Sequence, residues 1–142
     1  MKYSDEVLRR VRDLKRVGTL EGDHVGSGEV GTLDEGTVIR IQVRREGDRI
    51  VEARFKVFGC SAAIASASLV AEWLEGAAIE QAGMMTSDRV VRKLDLAPER
   101  ECVARMAIEA GSKAVVSALA REHEAQLRRD GRVAAGVRQK RD

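Results

Sequence analysis

The sequence is poor in the residues that usually fill or staple a small domain. Of its 142 residues, 3% are aromatic, one is proline and two are cysteines. The core must therefore be built from aliphatic side chains. No run of about 18 apolar residues is present, so we expect no membrane span. Residues 1–6 lack the apolar centre of a signal peptide. These absences favour a soluble, cytoplasmic protein with no membrane partner.

The charge is nearly balanced, because 25 Lys and Arg residues oppose 23 Asp and Glu residues, for a formal net charge of +2. A surplus this small argues against a nucleic-acid partner. Hydrophobic residues make up 44% of the sequence and charged residues 34%, as in ordinary globular proteins. The length suggests one domain. Nothing suggests secretion, so we expect the cysteines to be reduced thiols.

Hydrophobic periodicity predicts an N-terminal helix followed by strands. Apolar residues at helical spacing place the helix over residues 4–14, with Ser4 as its N-cap. A glycine-rich stretch follows, in which only residues 27–30 suggest a short strand. Residues 38–43 and 50–58 alternate as two strands of an antiparallel hairpin. The apolar face of the second strand is expected to contain Val51, Ala53, Phe55 and Val57.

The second half of the chain is predicted to be helical. Residues 62–74 form an almost wholly apolar, hence buried, helix. Residues 87–94 form a short helix capped by Ser87 or Asp88. A last helix begins near Glu99, and small or apolar residues form its core-facing stripe: Val103, Met106, Ala107, Ala110, Gly111, Ala114, Val115, Ala118 and Leu119. The order of elements indicates an α+β fold. We expect the domain to cover residues 1–122, and residues 123–142 to form a charged tail, a helix end followed by disorder.

The two cysteines occupy similar places in this pattern. Cys60 lies where a strand ends and the buried helix begins, and Cys102 lies in the first turns of the last helix. The positive end of a helix dipole favours the thiolate, the form that binds metal. Two thiolates cannot fill a tetrahedral site, so other ligands are needed. The carboxylates of Asp34, Glu35 and Glu101 are the candidates.

Several motifs occur in a fixed order. Val-Gly-Ser-Gly occupies residues 25–28. A longer block contains Ala-Arg-Phe-Lys at 53–56, Gly-Cys at 59–60, Ala-Ile-Ala-Ser at 63–66, Ser-Leu-Val at 68–70 and Glu-Trp at 72–73. In these motifs the sequence resembles the iron–sulfur cluster assembly scaffolds of the IscU/NifU type, from about residue 3 to about residue 122. The resemblance implies a small antiparallel sheet of about three strands, with helices packed on one face.

The resemblance also implies a function and a site. Such scaffolds receive sulfur from a cysteine desulfurase, bind iron, build a [2Fe–2S] cluster and pass it to apo client proteins. Their site contains three cysteines, an aspartate and a histidine. Cys60 and Cys102 match the second and third cysteines. Glu35 stands at the position of the first cysteine, Thr37 at that of the aspartate and Glu101 at that of the histidine.

Two hypotheses follow from this altered ligand set. In the first, the protein is a scaffold that binds iron or a [2Fe–2S] cluster through Cys60, Cys102 and the carboxylates of Glu35, Asp34 and Glu101. Such a ligand set would also suit zinc. In the second, it is a paralogue that binds the assembly machinery or clients without building a cluster, or that relays sulfur through a persulfide on Cys102.

The remaining expectations concern partners and catalysis. The segment that an Hsp70-type chaperone reads in this family is present only in altered form at residues 96–100, so this partner is a weaker expectation. A homodimer could complete a site that has two thiols. No nucleophile, base and orienting group are recognisable as a set, so we do not expect an enzyme.

Overall fold

The computed structural model describes residues 3–129 and residue 131, and it describes their side chains except at residues 122–126 and 128–129. The elements follow one another as α1 Asp5–Arg12, β1 Val25–Thr32, β2 Thr37–Glu46, β3 Arg49–Phe58, α2 Ser61–Leu74, α3 Ile79–Ala82, α4 Ser87–Leu94, a 3-10 turn Pro98–Arg100 and α5 Glu101–Arg129. The predicted α+β fold is confirmed.

The three strands form one antiparallel sheet in the order β1-β2-β3. Helices α2 and α5 pack on one of its faces. The central strand supplies Ile39, Ile41 and Val43 to that face, and all three are fully buried. On α2, ten of the 14 residues are buried, most of them Ala or Ser. The predicted sheet with helices on one face is therefore what the structure contains.

Close contact between β1 and α5 depends on two glycines. A Cβ added at Gly26 would lie 2.7 Å from the Cα of Ala118, and one added at Gly28 would lie 2.7 Å from the backbone nitrogen of Ala114. Real Cβ atoms do not approach backbone this closely. Farther along β1, a Cβ at Gly31 would lie 2.8 Å from the Cε of Met106. The two elements therefore run antiparallel, and the first turn of α5 lies beside the end of β1.

The N-terminal helix is fastened by its cap and by an ion-pair network. Ser4 accepts a hydrogen bond from the backbone N–H of Val7 at 3.2 Å, which confirms the predicted N-cap, and its hydroxyl donates to the carbonyl of Leu94. The guanidinium of Arg10 is buried between Glu6, at 2.9 Å, and Glu72 of α2, at 3.1 Å.

A second network joins the segment after α1 to the edge of the sheet. The carboxylate of Glu75 accepts from Arg16 at 2.8 Å, from Arg54 at 3.0 Å and from the backbone N–H of Ala53 at 3.1 Å. Val17 then pairs with Phe55 in a parallel bridge. Burial by itself raises the pKa of Glu75, but the hydrogen bonds from Ala53, Arg16 and Arg54 outweigh it and hold that pKa below its usual value.

The structure corrects the predicted strands in two places. Strand β1 covers Val25–Thr32 rather than only residues 27–30. Arg44 of β2 pairs with Glu52 of β3, but the next residue, Arg45, pairs with Ile50. Val51 is therefore left without a partner and forms a β-bulge. The bulge places Ile50, which is fully buried, on the core face in place of the half-buried Val51.

The helices also differ in detail from the prediction. Helix α4 is capped by Thr86, which accepts from the N–H of Arg89, and not by Ser87 or Asp88. Leu119 is 37% exposed, and it follows Ala118, the residue that packs against Gly26 near the start of β1. Helix α5 continues to Arg129. Beyond that residue only Gly131 of the tail is described, so most of the segment predicted to be disordered lies outside the described residues.

We expect Gly28→Ala to lower the free energy of unfolding by about 1–3 kcal/mol, the usual cost of overpacking a close contact. Gly83→Ala is the matched control, because Gly83 has a right-handed helical backbone and a Cβ there would meet only the Glu80 carbonyl, at 3.6 Å. Urea denaturation followed by circular dichroism measures both. Equal stability of the two variants would contradict the proposed β1–α5 contact.

Replacing Glu75 should destabilise the fold in a pH-dependent way. At neutral pH, Glu75→Gln is expected to cost about 1–3 kcal/mol, because charged donors lose their partner. The folded pKa of Glu75 is lowered from 4.5, so its contribution is present above the unfolded pKa and is lost as the pH falls through the folded value. The stability gap between wild type and Glu75→Gln should therefore close in acid. A gap that is constant with pH, or equal for the control Glu80→Gln on the exposed surface, would contradict this role.

Candidate functional site

The candidate site residues that were predicted from the sequence lie at one end of the sheet. Strand β1 ends at Thr32, which pairs with Thr37 at the start of β2. Strand β3 ends at Phe58, which pairs with Val38. The turn that contains Asp34 and Glu35 therefore lies at the same end as Cys60, two residues beyond Phe58.

Cys60 is the N-cap residue of α2. Its backbone is extended, with φ −79° and ψ 171°, and its carbonyl accepts from the N–H of Ile64 at 3.1 Å. Its thiol makes no capping hydrogen bond and is partly exposed. The first N–H groups of a helix lack partners within the helix, so Cys60 stands at the positive end of α2. This confirms the predicted position of Cys60 between a strand and a buried helix.

Thr37 lies directly beside the backbone that precedes Cys60. A Cβ added at Gly59 would be 3.3 Å from the Cγ2 and 3.5 Å from the Oγ1 of Thr37. The hydroxyl at this position is neutral, so it supplies no charge to the site. Its closeness to residue 59 could be read from the sequence only through the resemblance.

Cys102 is the second residue of α5 and is exposed. Met106, one helical turn later, contacts Gly31 near the end of β1. Because one turn of helix rises about 5.4 Å, Cys102 and the half-buried Glu101 lie at the hairpin end of the sheet. The helix actually begins two residues later than predicted, since Pro98–Arg100 forms a 3-10 turn.

Hydrogen bonds within the hairpin turn stabilise its backbone conformation. The N–H of Glu35 donates to the carbonyl and to the hydroxyl of Thr32, both at 3.2 Å, and the N–H of Gly36 donates to the carbonyl of Leu33 at 3.0 Å. The side chains of Asp34 and Glu35 are exposed. Within the described part of the chain, neither carboxylate makes an ion pair.

The structure brings the predicted ligands to one end of the sheet, but not into a closed ligand shell. Within residues 3–129 and 131, no group of three or more His, Cys, Asp or Glu side chains is placed to hold a metal ion. The donor types fit iron and zinc, which both accept thiolate and carboxylate. The joint ligation by Cys60, Cys102, Asp34, Glu35 and Glu101 therefore stays a prediction.

An open cavity that was not predicted from the sequence lies next to these residues. It has a volume of about 610 Å³ and lies on the sheet face opposite α2 and α5, where Leu33, Val38, Arg40 and Phe58 line it. Strand alternation around the buried Ile39 and Ile41 could have indicated it.

The helices that the structure describes include none with both the length and the hydrophobicity of a membrane-spanning segment.

The chain is similar in sequence to a known family and to several known proteins. The family profile of the NifU-like N-terminal domain matches residues 2–125. The iron-sulfur cluster assembly scaffold protein IscU of Haemophilus influenzae is 37% identical over 101 residues, covering 69% of this chain and 80% of its own length. The protein of the same name from Escherichia coli K12 is 37% identical, with 69% and 79% covered. In Drosophila melanogaster the relative is called an assembly enzyme and is 37% identical over 99 residues, or 68% and 64% of the two chains.

Solved structures show the same fold. A NifU-like N-terminal protein from Brucella abortus superposes with a TM-score of 0.64 at 14% identity, covering 81% of this chain and 92% of that one. A putative iron-sulfur cluster assembly scaffold protein for the SUF system from Fervidobacterium islandicum superposes with a TM-score of 0.63 at 20% identity, covering 80% and 96%. Both support the predicted α+β architecture.

Proposed function

Because the chain belongs to the family of NifU-like N-terminal domains, we propose that it acts as a scaffold in iron–sulfur cluster assembly. In this role it holds iron or a [2Fe–2S] cluster as cargo and passes it to apo client proteins. The observation that carries the proposal is the placement of Cys60 and Cys102. Each lies at the start of a long helix, and both helices start at the same end of the sheet.

The proposed ligands are the two thiolates together with carboxylates from the hairpin turn and from α5. Glu35 or Asp34 would supply one carboxylate and Glu101 another. Cluster iron prefers thiolate, so carboxylate ligands should bind it more weakly. A weakly held cluster suits a protein that gives its cargo away. The same ligands would also accept zinc.

The proposed partners follow from this role. A cysteine desulfurase supplies the sulfur, and apo proteins that need a cluster receive it. An Hsp70-type chaperone is a weaker candidate, since Leu96 of the altered segment is buried and only Pro98 and Glu99 are exposed. Both cysteines are free thiols, which fits the reducing conditions of the cytoplasm. A homodimer that completes the ligand shell remains part of the proposal.

A second candidate function is sulfur relay without cluster building. The exposure of Cys102 and the open ligand arrangement favour it. The Cys102 thiolate would attack the outer sulfur of a desulfurase persulfide, the sulfur–sulfur bond of that persulfide would break, and the desulfurase thiolate would leave. The product is a persulfide on Cys102.

Anaerobic reconstitution with ferrous iron, cysteine and a desulfurase tests the scaffold function. We expect the wild-type chain to retain iron and acid-labile sulfide after gel filtration and to show sulfide-to-iron charge-transfer absorption. Cys60→Ser should lose most of both, because a hydroxyl is a poor cluster ligand. Glu80→Gln, on the remote helix α3, is the control and should behave as wild type.

Equal iron and sulfide in wild type and Cys60→Ser would overturn the scaffold proposal. A wild-type chain that holds no iron but gains the mass of one sulfur, lost in Cys102→Ser, would establish the relay instead.

Glu35→Cys should restore a third thiolate at the hairpin turn. Because thiolate binds cluster iron more strongly than carboxylate, we expect the reconstituted cluster to resist chelators several-fold longer than in wild type. Asp23→Cys, in the exposed loop before β1, adds a thiol away from the site and is the control. Decay at the same rate in Glu35→Cys and wild type would show that residue 35 does not face the cluster.

A further inference from the structure

The sheet face opposite α2 and α5 has no helix covering it among the described residues. On β2, Val38 and Arg40 point to this face, since they alternate with Ile39 and Ile41, which are fully buried on the other. The cavity of about 610 Å³ forms a groove along this face. We call it the sheet groove, and define it by Glu29, Leu33, Val38, Arg40, Lys56 and Phe58.

One end of the sheet groove is apolar and exposed. Phe58 is 57% exposed and pairs across the strands with Val38, and Leu33 in the adjoining hairpin turn is 68% exposed. Isolated exposed apolar residues need no explanation, but a cluster that lines one concave surface is typical of a binding site. These side chains adjoin the turn that contains Asp34 and Glu35.

The middle of the sheet groove carries unpaired positive charge. Arg40 and Lys56 are direct cross-strand partners on β2 and β3, an arrangement of like charges that destabilises a sheet. Within the described chain, neither side chain has a carboxylate within salt-bridge distance. Glu29 is the cross-strand neighbour of Arg40 on β1, yet it forms no ion pair with it among the described residues. The groove therefore has a net positive charge with unused donors.

We propose that the sheet groove docks a segment of a partner protein in which apolar side chains alternate with carboxylates. The apolar side chains would cover Leu33, Val38 and Phe58, and a carboxylate would pair with Arg40 and Lys56. An extended segment matches the groove, because strand residues alternate sides and every second side chain would face the sheet. Nucleic acid is disfavoured, since two cationic side chains and the single aromatic ring of Phe58 are too few to bind a phosphate backbone and stack its bases.

This proposal goes beyond the scaffold function, because no cysteine lines the groove and docking needs no metal. In this role the sheet groove would bring a partner protein to the hairpin end of the sheet. A docked segment would hold its protein next to Cys60 and the exposed turn.

Binding of a defined peptide to the metal-free full chain tests the proposal. The probe is a fluorescein-labelled hexapeptide that alternates Leu or Phe with Glu, followed by fluorescence anisotropy and by amide chemical-shift mapping. We expect binding that weakens with added salt, with shifts at Leu33, Val38 and Phe58. Lys56→Glu should weaken binding about fivefold, since an exposed attraction becomes a repulsion. Glu29→Gln should strengthen it, because it removes the one negative charge in the groove.

The control variant is Lys93→Glu, which makes the same charge change on the exposed surface of α4, away from the sheet. The control peptide carries Lys in place of Glu. Equal binding of both peptides, shifts outside the sheet groove, or equal effects of Lys56→Glu and Lys93→Glu would each overturn the proposal. Self-association by sedimentation that Lys56→Glu abolishes would also overturn it, because the occupant would then be a second copy of this chain.

Discussion

The close contact between β1 and α5 is the constraint on which the site depends. It exists because Gly26 and Gly28 present no side chain to the helix backbone, while Ala110, Ala114 and Ala118 complete the contact from the other side. The contact fixes the direction and the register of α5 on the sheet. As a consequence, the first turn of that helix, with Glu101 and Cys102, lies at the end of the sheet where β3 delivers Cys60. The Val-Gly-Ser-Gly motif thus allows the close packing that positions the thiol of Cys102.

The charged residues that the structure describes differ in how fully their side chains are paired. Carboxylates that hold the fold are saturated with donors, as with Glu75, which accepts from two arginines and a backbone N–H. Carboxylates of the hairpin turn, Asp34 and Glu35, are exposed and make no ion pair within the described chain. The same contrast separates the arginines, since Arg54 is paired and Arg40 makes no ion pair with any residue that the structure describes. Asp34, Glu35 and Arg40 are thus among the charged groups that are available to bind a partner.

Most of the fold could be predicted from hydrophobic periodicity. Helix α2 and strands β2 and β3 were placed within two or three residues, because their patterns are strong and Ala, Val and Ile dominate them. Strand β1 was predicted too short, since a glycine-rich strand has few side chains that could show alternation. The bulge beside Val51 could not be predicted, because it depends on the pairing of two strands and not on either sequence alone.

The site was predictable to a lesser degree. The position of Cys60 between strand and helix followed from local pattern, whereas the convergence of Cys102 with the hairpin turn follows from tertiary packing. The sheet groove was missed because its basic and apolar residues are spread over a turn and three strands. The resemblance to a known family identified the motifs, but the replacements at Glu35, Thr37 and Glu101 mean that the ligand shell has to be established for this chain itself.

We propose that the β1–α5 contact brings Cys60 and Cys102 to a single metal-binding site. Cadmium-113 NMR of the metal-free chain titrated with one equivalent of Cd²⁺ tests it directly, since the chemical shift responds to each thiolate bound. We expect one resonance that moves when either Cys60 or Cys102 is replaced by serine. A resonance that responds to only one of the two replacements would show that the thiols do not share an ion.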